Sequence, residues 1–372
     1  MTGPAAQGSG ADCGAGFSRC FCPDFCAGML ISDTEVRYDR LVIAPPRALA
    51  LDLPRTKEAQ MTRPLSRRAA LATAASLPIA ATLAGATARP ARAEAPLQGP
   101  GQPNFNRFRL GGFEVTPLLA GSRLLENPHE TFGTNVSDEE FAAASEAAFL
   151  PVNRSRNFFT PVLVNTGDEL VLFDTGLNPQ GVTAALAAAG VTPDQIDIVV
   201  LTHMHGDHIG GLMGEQGPTF PYARYATGTV EHNHWSAAGN EGFDKVVKPL
   251  NDRMTFLDDG GELVRGIHAV AAFGHTPGHM AFHLESEGAR LMLTADTANH
   301  YVWSLAHPEW EVRFDADKAA AAASRKRIFG QIAADRIPFI GYHMPFPATG
   351  FVEAAGEGFR YVPVSYQMLL SE

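Results

Sequence analysis

The sequence predicts an α/β catalytic domain over residues 105–372, and two observations carry that prediction. The β-branched run Ile196–Leu201 indicates a buried strand, and it follows a helix-like segment at Thr183–Ala189. This strand leads into a loop that holds three histidines and an aspartate within six residues, His203–His208. Strand, helix and strand, with reactive residues at the carboxyl end of a strand, is a common placement for an α/β active site.

The first 93 residues are expected to lie outside this domain. Arg67 and Arg68 precede an Ala/Leu-rich run, and Ala91-Arg92-Ala93 follows it. A basic, then apolar, then A-x-A order predicts a twin-arginine export signal over residues 61–93, beginning near Met61. Residues 1–60 are then an over-called, disordered N-terminal extension; the alternative is a true extension of the protein. All four cysteines lie there, at or before Cys26, with irregular spacing and no histidine nearby, which argues against a zinc module.

Charge and composition narrow the classes of function. After residue 93 the chain has 18 Lys and Arg against 33 Asp and Glu, a net charge of −15. An acidic surface of that size disfavours nucleic acid and anionic lipid headgroups as partners. No later segment approaches the 18 or more apolar residues that a membrane span needs. We therefore expect a periplasmic or secreted protein that acts on a small molecule, and the sequence is compatible with a homodimer.

The elements are expected in the following order. A flexible lead-in at 94–104 precedes two β-hairpins and one short helix, and a second strand–helix–strand series then runs to the C-terminus. These segments are the hairpin 105–110 and 113–119, the helix 141–149 after a capping box at Ser137, the hairpin 158–165 and 169–173, the helix 183–189, the strands 196–201, 280–284 and 290–294, the amphipathic helix 318–334 and the strand 338–342. The aromatic segment 222–261 is expected to be rich in loops and to border the substrate pocket.

The histidine loop predicts a dinuclear metal centre. His203 and His205 are two residues apart, so on an extended segment both side chains project to one side and can bind one ion. Asp207 and His208 come from the following turn and can reach a second ion. Because the processed chain has no cysteine, the ligands must be nitrogen and oxygen.

Four groups do not complete two sites, so further ligands are expected at later strand ends. The candidates are His279, Asp296 and His343. One ion would take His203, His205 and His279, and the other would take Asp207, His208 and His343, with Asp296 bridging them. Open positions for water are typical of a catalytic site.

Two neighbours could orient the ligands. His275 lies in the same histidine-rich turn as His279, and spacing alone does not say which of the two is the ligand; we prefer His279 because it adjoins the next strand. His275 and Asp174 are then candidates for holding a ligand in place. For Asp174 a turn cap is the alternative.

Two divalent ions roughly 3.5–4 Å apart can share a hydroxide and polarise a carbonyl or phosphoryl oxygen. Asp296 would position the bridge, and Asp207 could relay a proton, so these are the two candidate catalytic residues. The sequence has no G-x-S-x-G motif that would supply a serine nucleophile. Zinc is the first choice of metal, and manganese, iron and cobalt suit the same ligands.

These residues resemble the metallo-β-lactamase superfamily, in the order Thr202–His208, Gly278-His279, Asp296 and His343. The resemblance implies the αβ/βα four-layer sandwich of that family, with a dinuclear site between two sheets. Within it the chain looks most similar to the methyl parathion hydrolase branch. The segments that carry this similarity are Leu163–Gly167, Thr202–His205, Gly210–Met213, Gly274–His279 and Gly358–Tyr366.

The branch implies hydrolysis of neutral phosphotriesters or aryl esters, in an aromatic pocket to which Trp235 and Phe243 would contribute. Two departures concern that pocket: the loop after Gly176 lacks an expected phenylalanine, and Gly206 stands where the branch commonly has proline. The same ligand set serves lactonases of the acyl-homoserine lactone type and thioester hydrolases. True β-lactamase activity, a di-iron redox centre and a non-catalytic binding module are weaker alternatives.

Overall fold

The computed structural model describes residue 97 and residues 99–370. The predicted extension and export signal lie outside the described residues. Residues 99–103 of the predicted lead-in form neither helix nor strand, and they are exposed.

The regular elements form two large sheets, two small ribbons and six helices among the described residues. The strands are β1 (Phe108–Leu110), β2 (Phe113–Pro117), β3 (Gly121–Glu126), β4 (Arg154–Phe159), β5 (Val162–Asn165), β6 (Leu170–Phe173), β7 (Ile198–Leu201), β8 (Met213–Gly214), β9 (Gly217–Pro218), β10 (Arg224–Gly228), β11 (Met254–Leu257), β12 (Glu262–Val264), β13 (Ile267–Ala271), β14 (Met280–Ser286), β15 (Ala289–Ala295), β16 (Phe339–Gly341), β17 (Thr349–Ala355) and β18 (Gly358–Pro363). The helices are α1 (Asp138–Ala147), α2 (Pro179–Ala188), α3 (Gly206–Ile209), α4 (Thr229–Ala238), α5 (Glu241–Val246) and α6 (Lys318–Asp335).

Each large sheet has seven strands. The first runs β1-β2-β5-β6-β7-β10-β11 and the second runs β12-β13-β14-β15-β16-β17-β18. Parallel pairing joins β6 to β7, β7 to β10 and β10 to β11 in the first sheet, and β15 to β16 in the second. The carboxyl ends of β6 and β7 and those of β15 and β16 therefore lie at one edge of their respective sheets.

Strand β7 shows why the two sheets stack. Ile198 and Val200 contribute to the core between the sheets, whereas Val199 and Leu201 pack with α2 and α5 on the outer side. A strand that is buried on both faces needs a continuous apolar sequence, which is what this run supplies. On the second sheet α6 packs through Phe329 against Phe339, with ring centroids 5.2 Å apart. The layers are helix, sheet, sheet and helix, which is the predicted metallo-β-lactamase fold.

Several local predictions are confirmed. The first hairpin turns at Gly111-Gly112, and Ser137 caps α1 by accepting a hydrogen bond from the backbone N–H of Glu140 at 3.2 Å. The prediction of a loop-rich segment at 222–261 is wrong, because this segment contains β10, α4, α5 and β11. Among its aromatic residues Tyr225 and Phe243 are buried, whereas Tyr222 and Phe256 are exposed.

No helix in the described part of the chain is long and apolar enough to cross a membrane.

Candidate metal centre

The ends of four strands, together with the loop between β13 and β14 that carries His275 and His279, bring the reactive side chains together. Asp174 follows β6, the histidine loop follows β7, Asp296 follows β15, and His343 lies two residues after β16. The backbone N–H of Met280 donates to Thr202 O at 3.0 Å, which ties the start of β14 to the end of β7. The site is therefore built where the carboxyl ends of parallel strands from both sheets meet.

One group of ligand atoms comes from three histidines. His205 Nδ1 lies 3.1 Å from His203 Nε2 and 3.0 Å from His275 Nε2. All three atoms lie within 4.8 Å of one another. Ring nitrogens that converge in this way can share one cation.

A second group comes from Asp207, His208 and His343, whose ligand atoms also lie within 4.8 Å of one another. His343 Nε2 is 3.4 Å from Asp207 Oδ2. Asp296 lies between the two groups: its Oδ1 is 3.3 Å from His208 Nε2, and its Oδ2 is 3.2 Å from His343 Nε2 and 3.3 Å from His275 Nε2. The carboxylate contacts both groups, as the predicted bridging role requires.

The preference for His279 over His275 as the third ligand is wrong in this structure. His279 Nε2 accepts a hydrogen bond from the backbone N–H of Asp296 at 3.1 Å, and its Nδ1 lies 3.2 Å from Ala272 O. Both ring nitrogens are used, so His279 has no lone pair for a metal. His279 instead fixes the strand end that presents Asp296, and His275 takes the ligand position.

Carboxylates and a carbonyl orient the ligand rings. Asp174 Oδ2 lies 2.8 Å from His208 Nδ1, which places it where the sequence prediction put an orienting residue. Asp315 Oδ1 lies 2.8 Å from His275 Nδ1, and Phe158 O lies 2.8 Å from His343 Nδ1. A partner on the far nitrogen fixes the tautomer and the ring orientation, so that the near nitrogen can bind metal.

Sequence reasoning missed Asp315 in this role, and with it Arg325. The Arg325 guanidinium donates to Asp315 Oδ2 at 2.9 Å, and both side chains are buried. Arg325 also donates to Thr297 O at 3.0 Å, close to the bridging Asp296. The signal available in the sequence was the position of Arg325 in α6, three and four residues before the buried Ile328 and Phe329, on the face that packs inward.

Glu231 is the other residue that the sequence did not reveal. It is fully buried and accepts hydrogen bonds from the N–H groups of Met204 at 2.9 Å and Gly278 at 3.0 Å. It therefore connects α4 to both histidine loops. A Cβ on Gly278 would lie 2.1 Å from the backbone nitrogen of Glu231, so only glycine allows this close approach.

Two ligand-presenting turns adopt left-handed backbone conformations at residues other than glycine. Asp174 has φ 60° and Ala295 has φ 44°. Such conformations cost of order 1–3 kcal/mol and persist where the surrounding structure requires them. Here they end β6 and β15 abruptly, which aims Asp174 and Asp296 at the cluster.

Burial and charge act against each other in the cluster. Burial lowers the pKa of His203 well below its usual value and that of His205 to about 4. Burial also opposes protonation of His343, but the carboxylates of Asp296 and Asp207 together outweigh it and raise the pKa of His343 to about 10. The pKa of Asp296 is held well below its usual range because nearby histidines outweigh its burial. Asp296 is therefore ionised and available as a ligand.

The residues present fit a pair of metal ions. His208 Nε2 and Asp296 Oδ1 are buried and have no hydrogen-bond partner among the described residues. Buried polar atoms are normally satisfied, so two such atoms 3.3 Å apart indicate that another group belongs there. The donor set is imidazole and carboxylate, which suits zinc, manganese, iron or cobalt.

The two residues predicted to line the substrate pocket lie in different surroundings. Trp235 lies beside the centre, with its ring 6.0 Å from that of His205, and its Nε1–H donates to Glu231 Oε1 at 2.6 Å. Phe243 is only 2% exposed and packs in the core between α5 and the first sheet. The structure therefore does not bear out the prediction that Phe243 lines the pocket, because its side chain is taken up by core packing.

A different cavity, of about 300 Å³, adjoins the centre at His343. We call it the His343 cavity. Its lining residues are Leu150, Pro151, Arg154, Ser155, Arg156, Phe158, His300, Tyr301, His343 and Pro345. None of these residues was predicted from the sequence to line a pocket; His343 was predicted only as a metal ligand.

Comparison with known proteins agrees with this geometry. The family model described as "Metallo-beta-lactamase superfamily" matches residues 160–338. Among curated proteins, an atrochrysone carboxyl ACP thioesterase from Aspergillus fumigatus is 33% identical over 138 residues, which are 36% of this chain and 28% of that protein. The lactamase-like protein nscB from the same organism is 32% identical over 150 residues, 39% of this chain and 38% of that protein. The chain thus spans well under half the length of these relatives.

Solved structures match over a larger share of the chain. AidC, described as a dizinc quorum-quenching lactonase in complex with a product N-hexanoyl-L-homoserine, is 26% identical with a TM-score of 0.66. That match covers 71% of this chain and 98% of AidC. The hydrolase AbOPH matches with the same TM-score at 21% identity, over 72% of this chain and all of that protein. The AbOPH match supports the fold alone.

Proposed function

We propose that this chain is a member of the metallo-β-lactamase superfamily and a dinuclear zinc hydrolase that opens lactones. The observation that carries the proposal is the convergence of His203, His205 and His275 on one side of Asp296, and of Asp207, His208 and His343 on the other. The lactone is favoured over other esters because the AidC match covers nearly all of a dizinc lactonase. The thioesterase relatives favour carboxylic acyl groups as well.

A pair of divalent ions would supply a nucleophile from water at neutral pH and would polarise the carbonyl of the bond to be broken. The side chains of the chain do the rest. Asn299 donates to Asp296 Oδ2 at 2.8 Å and so helps to fix the bridging carboxylate. The ring of Tyr342 lies against that of His208 at a tilt of 31°, with centroids 3.9 Å apart, and its hydroxyl donates to Asp207 O at 2.5 Å.

Asp207 is the better placed of the two carboxylates for handling a proton. Its side chain is 24% exposed, whereas that of Asp296 is 3% exposed. Burial alone would raise the pKa of Asp207, but His208 and His343 outweigh it and lower the pKa to about 2. An ionised, accessible carboxylate beside the centre can take a proton from the attacking water and pass it to the departing alkoxide of the lactone.

The proposal is tested on the purified protein with a panel of substrates. Elemental analysis should give about two transition-metal ions per chain, and a chelator should abolish hydrolysis. The panel sets an acyl-homoserine lactone against an aryl ester, a thioester, a β-lactam and an aryl phosphotriester. The lactone should give the highest kcat/KM. Hydrolysis that survives metal removal would contradict the metal-dependent mechanism, and a phosphotriester preference would return the assignment to the methyl parathion hydrolase branch.

Export remains a separate proposal that depends on residues 61–93 alone. A twin-arginine signal predicts that the processed protein accumulates outside the cytoplasm. Changing Arg67 and Arg68 to lysine should retain it inside. Cell fractionation with immunodetection measures this, and an unchanged distribution would contradict the proposal.

A further inference from the structure

The His343 cavity has a built connection to the metal centre. Strand β4 forms one wall, and the carbonyl oxygen of its Phe158 accepts a hydrogen bond from His343 Nδ1 at 2.8 Å. The strand therefore holds its wall of the cavity in fixed relation to a metal ligand. Ligand cavities usually measure about 300–1,000 Å³, so this one can take a small substituent or an acyl chain.

Two arginines share this wall. Arg154, Arg156 and Phe158 are alternate residues of β4, so they project from the same face of the strand. All three line the cavity. At about 3.3 Å per residue, Arg154 lies roughly 13 Å along the strand from Phe158, and Arg156 about half as far. Arg156 and then Arg154 thus follow at increasing distance along the strand from Phe158, the residue that contacts His343.

Neither arginine has its charge neutralised within the part of the chain that the structure describes. Arg156 donates to the hydroxyl of Ser122 at 3.0 Å, which leaves its charge uncompensated. Glu126 is directly opposite Arg154 in the β3–β4 ladder, yet the two form no ion pair among residues 99–370. In a chain of net charge −11, two uncompensated guanidinium groups on one cavity wall are suited to an anion that arrives from outside.

His300 adds a neutral donor to the lining of the cavity. His300 Nδ1 accepts hydrogen bonds from the N–H groups of Val302 at 3.1 Å and Trp303 at 3.2 Å, so the proton of the neutral ring is on Nε2. Its ring stacks on Trp303 at 3.9 Å, and Leu150 and Pro151 add apolar walls to the cavity. The lining of the cavity therefore combines a polar donor, apolar side chains and two arginines.

We propose that the His343 cavity binds the part of the substrate that is not cleaved, and that Arg154 and Arg156 hold an anionic group on it, a carboxylate or a phosphate. The anionic group would lie on the order of 10 Å from the cleaved bond, as the strand spacing sets. The inference rests on the proposed ester hydrolysis and names a substrate class for that site. It replaces the expectation of a wholly neutral substrate with one that is neutral at the reacting bond and charged at its far end.

The test compares esters that differ only at the far end. The 4-nitrophenyl half-ester of octanedioic acid and the 4-nitrophenyl ester of 8-phosphooctanoic acid carry the charge, and 4-nitrophenyl octanoate does not. Arg154→Gln and Arg156→Gln should each raise KM for the charged esters about tenfold and leave the neutral ester within about twofold. Added salt should weaken the wild-type preference, because the arginines are exposed. The charged ester with the lower KM in the wild-type protein shows whether the site prefers a carboxylate or a phosphate.

Arg123→Gln is the matched control. Arg123 is exposed on β3 opposite Asn157, so it lies on the same ribbon but on the alternate face, and it does not line the cavity. It should leave all three KM values unchanged. Equal losses on charged and neutral esters, or an equal effect of Arg123→Gln, would overturn the proposal.

A binding measurement separates this inference from the proposed function. Calorimetry of octanedioate and octanoate with the metal-loaded protein needs no turnover. Octanedioate should bind about tenfold more tightly, and the Arg154→Gln/Arg156→Gln double variant should remove the difference. If no ester or lactone is hydrolysed but this difference is present, the function fails and the anion site stands. If hydrolysis is present and the difference is absent, the anion site fails alone.

Discussion

The two halves of the metal centre are built in different ways. The first sheet supplies His203, His205, Asp207 and His208 from one loop after β7. The second sheet supplies His275, Asp296 and His343 one at a time, from three separate loops. Local geometry determines the first half, whereas the second half exists only because three distant segments meet.

The difference extends to the residues that hold the ligands. In the first half, Asp174 orients His208 and also accepts the N–H of Thr202 at 2.9 Å, so one carboxylate fixes both ends of the loop. In the second half, Asp315 orients His275 from 40 residues away and is itself held by Arg325. The second half should therefore be the more sensitive to single changes outside the ligand set.

Asp296→Ala should have the largest effect, because this carboxylate contacts ligands of both halves. We expect turnover to be lost and metal content to fall from about two ions per chain to one or fewer. Elemental analysis and steady-state kinetics measure the two effects. Asp168→Ala, in an exposed turn, is the control. Full metal content in Asp296→Ala would show that the two halves do not depend on this bridge.

His275→Ala and His279→Ala separate the ligand from the residue beside it. His275→Ala should lower the metal content by about one ion per chain and remove most of the activity. His279→Ala should retain the metal but lower the free energy of unfolding by about 2–4 kcal/mol, because it removes a buried, hydrogen-bonded ring. Metal analysis and denaturant unfolding distinguish them. The reverse pattern would restore His279 as the ligand.

Asp315→Asn and Asp174→Asn test the orienting residues of the two halves. Asp315→Asn should weaken binding of the ion that His275 holds, and Asp174→Asn that of the ion that His208 holds, each by about 10–100-fold, since the ligand ring loses a charged partner. Competition with a chelator measures the two affinities separately. If the second half is the more sensitive, Asp315→Asn should have the larger effect; equal losses would mean that the halves are equally well supported.

The pH dependence of the metal-free protein should show the smallest effect. Burial opposes protonation of His275, but Asp296 and Asp315 raise its pKa to about 9; for His343 the value is about 10. A histidine whose pKa is raised on folding stabilises the folded state. This contribution is fully present below the pKa of the unfolded chain, about 6.5, and is lost as the pH rises through 9 to 10. The Tm without metal should therefore fall between pH 7 and pH 10. With metal bound the fall should be smaller, because the ions replace those protons.

Much of the first half could be predicted from the sequence because its signals are local. The apolar run before Thr202 predicts the strand, and the alternation of His203 and His205 places both on one side. The need for further ligands at later strand ends predicted Asp296 and His343, and the resemblance to the superfamily predicted the four layers. The choice between His275 and His279 failed because both are histidines in one turn, and proximity to a strand says nothing about which ring nitrogens are already hydrogen-bonded.

Taken alone, the sequence determined the histidine loop, the strands that present it and the nitrogen and oxygen chemistry of its ligands, because these depend on neighbouring residues. Only the tertiary structure decided that the backbone N–H of Asp296 donates a hydrogen bond to Nε2 of His279, which leaves that nitrogen unavailable to a metal. It also decided that Asp315, held by Arg325, orients His275, and that Phe243 packs in the core. It also placed Arg154 and Arg156 on the wall of the His343 cavity. These outcomes depend on contacts between residues tens of positions apart, and such contacts form only when the two sheets pack.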